Sequence, residues 1–88
     1  MALYDFTADT DFAGKGKRLL SWHLSQGTGA NQVNFRDGGA SGTIKFQVQL
    51  AATTSASQAY PSPCPVFVNG LYVDIVGTGF AQGCVDLA

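Results

Sequence analysis

The chain predicts an all-β protein, a single antiparallel β-sandwich of six or seven strands, with a jelly roll among the arrangements that class allows. Three observations predict it. Residues 33–50, VNFRDGGASGTIKFQVQL, set two apolar alternations around a Gly-rich turn, which is a β-hairpin. Turn signals recur about every ten residues, and no stretch carries a convincing helical period. The 88 residues suffice for one core and leave no room for a second, so residues 1–88 form one domain.

Taken in order, residues 2–13 alternate Tyr4, Phe6 and Ala8 against Leu3, Asp5, Thr7 and Asp9. Residues 1–13 are therefore read as a first strand or an extended N-terminal arm. Asp5, Asp9 and Asp11 lack the ligand spacing and the closing Glu of a calcium loop, so no metal is expected there. Gly14 to Lys17 is a basic turn. From Arg18 to Gln26, Leu20, Trp22 and Leu24 take one face, and Leu19, Ser21, His23 and Ser25 the other. Trp22 between two leucines reads as core, with an indole N–H that needs an acceptor. His23 points outward, and no Ser or Cys is tied to it by a motif.

Gly27 to Asn31 reads as a hairpin loop, followed by a strand with Val33 and Phe35 inward and Asn34 and Arg36 outward. Asp37-Gly38-Gly39 is a turn, because glycine tolerates the positive φ of tight connections. It is no phosphate loop, since a Lys-Ser/Thr pair at a helix start is missing. In the next strand Ile44, Phe46, Val48 and Leu50 share the inner side, and Lys45, Gln47 and Gln49 the outer. Residues 51–59 are small and polar, an edge strand or a flexible loop. Pro61, Pro63 and Pro65 exclude a central strand and read as a stiff crossover between sheets. Asn69-Gly70 turns into a strand with Leu71, Val73 and Ile75 inward, and Gly77-Thr78-Gly79 turns into the last strand, Phe80 to Leu87.

Charged residues make up only 12% of the chain, with no Glu, against about 25% in ordinary soluble domains. A surface of Ser, Thr, Asn, Gln and Gly repels neighbours weakly, which suits permanent assembly into a homo-oligomer. A net charge of −1 gives no electrostatic reason to expect nucleic acid or anionic lipid, and no run approaches the ~20 apolar residues of a membrane span. The opening MALYDFTADTD lacks the basic and apolar regions of a secretory signal, so synthesis and folding in a cytoplasm are expected. Cys64 and Cys84 are too few for a disulfide framework; they read as free thiols, with one bridge as the alternative. One His, six Asp and two Cys at no catalytic or zinc-binding spacing predict no enzyme and no cofactor.

At Val33-Asn-Phe-Arg-Asp-Gly38, Ser41-Gly-Thr43, Pro63 to Phe67 and Asn69-Gly-Leu-Tyr-Val73, the chain resembles small β-sandwich virion proteins of tailed bacteriophages. Capsid decoration, or cement, proteins are among these, and the resemblance covers residues 31–88. It implies a structural protein made in the host cytoplasm and located in the virion. That protein would bind the major capsid protein or other virion proteins, as a homo-oligomer, with a trimer expected. Each copy would bind the assembled shell and so stabilise it. Candidate contacts are Tyr4 and Phe6 on the arm and the outward Arg36, Lys45, Gln47 and Gln49. A neck, tail or fibre component is the first alternative. A carbohydrate- or receptor-binding module using Tyr60, Tyr72 or His23 is the second.

Overall fold

The computed structural model describes residues 2–29, 31–61 and 63–88. Met1, Ala30 and Ser62 lie outside the described residues, so the arm, the 27–31 loop and the proline run are described without them. Among the described residues eight strands form: β1 (Ala2–Phe6), β2 (Thr10–Asp11), β3 (Leu19–Gln26), β4 (Asn31–Asp37), β5 (Thr43–Leu50), β6 (Ser55–Ala59), β7 (Leu71–Gly77) and β8 (Phe80–Leu87). They make two four-stranded sheets, ordered β1-β8-β3-β6 and β2-β7-β4-β5.

The pairing is nested. β4 pairs β5, β3 pairs β6, β2 pairs β7 and β1 pairs β8, every pair antiparallel. The chain behaves as one long hairpin whose tip is β4–β5, folded over so that alternate pairs fall in opposite sheets. Two further ladders, β3–β8 and β4–β7, close the sheets, giving the connectivity of a jelly roll. The strands outnumber the expected six or seven because the first thirteen residues supply two, one to each sheet.

Between the sheets lie Leu19, Trp22 and Leu24 from β3, Val33 and Phe35 from β4, Leu71 and Val73 from β7, and Val85 and Leu87 from β8. The Trp22 and Phe35 rings, 5.9 Å apart, join the two sheets, and Phe46 stacks on Phe35 at 4.6 Å. Two loop aromatics complete the core. Phe12 follows β2, with its N–H donating to the Leu71 carbonyl, and Phe67 in the β6–β7 connection donates to the Lys17 carbonyl. The strands on either side of the proline run, β6 and β7, lie in different sheets, as expected of a crossover.

Three expectations are corrected. Leu19, not Leu20, is the fully buried leucine at the start of β3, because the β3–β8 register shifts between Leu19 and Ser21 and moves the chain one residue off strict alternation. Ile44 is 37% exposed rather than inward, because a second irregularity pairs it with the outward Arg36 and leaves Lys45 unpaired. Only Phe46, Val48 and Leu50 of that row reach the core. The third concerns the segment 27–31, which is not a hairpin: β3 and β4 belong to different sheets. The same holds for Gly77 to Gly79, which leads from one sheet to the other.

Thr53, in the β5–β6 connection, holds φ at 59°, a left-handed conformation that a β-branched residue adopts at a cost of about 1 kcal/mol or more. Its N–H donates to the Gly27 carbonyl at 2.8 Å, which keeps it there. Thr53→Asn is therefore expected to stabilise the fold by about 0.5–1 kcal/mol, read as a higher denaturant midpoint at unchanged slope, because asparagine tolerates this region.

Candidate functional site

The outer face of the second sheet carries most of the outward residues singled out in the sequence. Its centre is an ion pair, Arg36 Nε to Asp74 Oδ2 at 3.1 Å. Asn34 Nδ2 donates to the same carboxylate oxygen at 3.2 Å, and Arg36 Nη1 donates to the Gly42 carbonyl at 2.9 Å. Gln32 Nε2 donates to Asn34 Oδ1 at 2.9 Å, and Gln49 Nε2 donates to Gln32 Oε1 at 3.4 Å. Asn34 is buried although it faces outward, because these neighbours close over it. The groups satisfy one another, and the Arg36 guanidinium is neutralised by Asp74. Around this pair the face is a polar surface of amides. Lys45 and Gln47 lie exposed beside it on β5.

The first sheet's outer face holds a different row. Register places Asp5 of β1 opposite Cys84 of β8, Cys84 opposite His23 of β3, and His23 opposite Ser57 of β6. A thiol and an imidazole are thus cross-strand neighbours, a relation invisible until strand order is known. The hydrogen bond of the imidazole goes to Ser25, with Nε2 to Oγ at 3.2 Å. Neither cysteine is in a disulfide; both are half-buried.

Among the described residues no group of three His, Cys, Asp or Glu side chains could hold a metal ion. The N-terminal aspartates have structural work instead. Asp9 Oδ1 accepts from the Ile75 N–H at 2.8 Å, and Asp11 Oδ1 from the Ala13 N–H at 2.9 Å. Asp37 Oδ1 likewise accepts from the Asn69 N–H at 2.8 Å and ties two turns together.

The aromatic candidates divide. Phe6 is only 4% exposed, its ring against Phe12 and Phe80, and the half-buried Tyr4 also packs on Phe12, so both serve the core here. Residues 2–6 pair with β8 of their own chain and form an edge strand. Tyr60 OH accepts the Trp22 indole N–H at 3.1 Å, and its half-buried ring packs edge-on with Phe46, so it supports the core. Tyr72 stays half-exposed beside Arg36. Among the described residues the large apolar side chains left in solvent are Leu3 (70%), Val68 (61%), Val76 and Val66, with Ile44 at the margin. The hollow beside Val76 is lined by Asn31, Gln32, Gln49, Leu50 and Ala51, amides and aliphatics with no titratable group.

No protein-family profile and no curated protein matches the chain. A solved structure from Bacillus endospore appendages, described as a family of disulfide-linked pili, is similar to it. The TM-score is 0.63 at 24% sequence identity, over 99% of this chain and 85% of the other. At that identity the likeness establishes a shared fold, that of a small all-β protein.

Proposed function

We propose that the protein is a non-enzymatic structural subunit that associates with copies of itself into an extracellular filament or shell. The observation that carries this reading is the likeness to the pilus protein, which takes in 99% of this chain. Surface character agrees with it. Few charges and a mutually satisfied amide face make a surface that a neighbour covers at small desolvation cost, and Leu3, Val68 and Val76 add exposed apolar area.

The two thiols extend the reading. The similar protein is described as disulfide-linked, and Cys64 and Cys84 are both free in this chain. Concentrated protein under oxidising conditions is expected to give a ladder of multimers on non-reducing gels that a reductant collapses. The Cys64→Ser/Cys84→Ser variant loses the ladder while keeping its thermal midpoint. Electron microscopy of the concentrated wild-type protein tests the proposal directly. Regular filaments or shells support it, and a strict monomer with no ladder overturns it.

A narrower reading, decoration of a tailed-phage head, rests on the sequence resemblance of residues 31–88 and draws no support from the structural likeness. It requires the chain to cosediment with capsids and to be found by mass spectrometry in purified virions. Its absence from both sinks that version and leaves self-assembly standing.

A further inference from the structure

Resting on the self-assembly reading, we infer that a second copy of this chain docks on the free edge of β6, antiparallel and across a two-fold axis at Ser57, to join two first sheets into one continuous sheet. The inference begins from which backbone groups of β6 are already used. Tyr60 N–H donates to the Leu20 carbonyl and Gln26 N–H to the Thr54 carbonyl, both at 2.8 Å, so hydrogen-bonded pairs fall at even-numbered residues of this strand. Antiparallel ladders alternate, which makes Trp22–Gln58 and Leu24–Ala56 the bonded pairs between them. The N–H and C=O groups of Ser55, Ser57 and Ala59 therefore point away from β3 to the open edge. Pro61 ends the row of donors on one side, and the left-handed turn at Thr53 ends it on the other.

Edge strands are ordinarily guarded against such pairing by charge, bulges or proline within the strand. The other edges carry guards. β1 holds Asp5, β2 is only two residues long and includes Asp11, and β5 has Lys45 at a register irregularity. β6 reads Ser-Ala-Ser-Gln-Ala, with no charge and an unbroken register to β3. It lies within a run from Phe46 to Val73 that contains no Asp, Glu, Lys, Arg or His. Lacking these guards, β6 is the edge where a strand adds with nothing to repel it.

The strand's own sequence specifies the partner. With the axis at Ser57, Ser57 exchanges both backbone hydrogen bonds with its copy, and Ser55 pairs with Ala59. The side chains of these residues share the outer face with Ser21, His23 and Ser25 and are small, so nothing obstructs close approach. On the inner face Ala56 meets Gln58. Every open-edge donor then finds an acceptor, and the interface is isologous.

The test uses the Cys64→Ser/Cys84→Ser background. Residues in a hydrogen-bonded antiparallel pair have Cα atoms about 5.5 Å apart, within disulfide reach. Ser57→Cys is expected to oxidise to a covalent dimer, whereas Gln82→Cys, exposed away from the edge, does not. Ser57→Pro removes an outward-facing donor without taking a hydrogen bond from the β3–β6 ladder, and is expected to weaken association by about tenfold in sedimentation analysis while circular dichroism stays unchanged. Ala59→Lys, which adds a guarding charge at the same edge, does the same without altering the backbone. Should the background protein assemble, yet the proline and lysine variants assemble equally well and Ser57→Cys link no faster than Gln82→Cys, the β6 interface is overturned and self-assembly is not. A background and wild-type protein monomeric at every concentration overturns both.

Discussion

Phe35→Ala is expected to remove most of the stability of this domain. Phe35 is fully buried on β4, stacked on Phe46 at 4.6 Å and tilted against Trp22 at 5.9 Å. It is the ring through which the two sheets meet at their centre. Truncating such a residue costs its transfer free energy plus a cavity that surrounding rings cannot fill, about 3–5 kcal/mol. A chain of this length has only about 4–13 kcal/mol in total, so the thermal midpoint should fall by about 15–30 °C. Ile44→Ala, one strand away, is the control. The sequence pattern puts Ile44 in the same inward class, but its bulge-directed exposure predicts a loss within about 0.5 kcal/mol. Equal losses at the two positions would mean that the β4–β5 register is not as described.

That pair of residues also marks where sequence reading succeeded and where it stopped. Alternation is a local property, and it correctly assigned Phe35, Phe46, Val48, Leu50, Leu71 and Val73, whose strands keep register with their neighbours. A bulge belongs to a pair of strands. Leu19 and Leu20 sit beside one another in text that reads equally well in either phase, whereas Ile44 and Lys45 follow a clear alternation that the partner strand overrides. Phe12 and Phe67 escaped for another reason: Phe67 stands in a Pro-rich connection with no period to belong to, and Phe12 at the end of the arm, beside the Gly-rich turn. An isolated aromatic in such a segment is itself the signal, since a loop gains nothing from exposing one. The row of Asp5, Cys84, His23 and Ser57 comes from four separated strands and follows from strand order alone, so no spacing in the sequence could announce it. The outward amide row was legible, whereas its closure over Asn34 by Asp74 and Gln32 was not.

Gly27→Ala is the second large loss expected, and it tests the feature that the sequence presented as two ordinary turns. Gly27-Thr28-Gly29 and Gly77-Thr78-Gly79 are matching tripeptides, each on a path from one sheet to the other, and they lie against one another at the same end of the sandwich. Gly27 N–H donates to the Gly79 carbonyl at 2.9 Å, while Gly27 accepts from Thr53 N–H at 2.8 Å. A Cβ at Gly27 would collide with the Gly79 carbonyl oxygen, and one at Gly79 would stand 2.7 Å from the Gly29 nitrogen. Backbone meets backbone here, so no rotamer change relieves the overlap, and the crossing strands must part. We expect a loss of about 3 kcal/mol, at the upper end for overpacking. Gly39→Ala separates this cause from conformational strain. Gly39 has φ +99° but open space around it, so its substitution costs the backbone term alone, about 1 kcal/mol. Chemical denaturation of both variants gives the ordering. If Gly39→Ala proved the more damaging, close approach of the two tripeptides could not be what holds this end of the sandwich together.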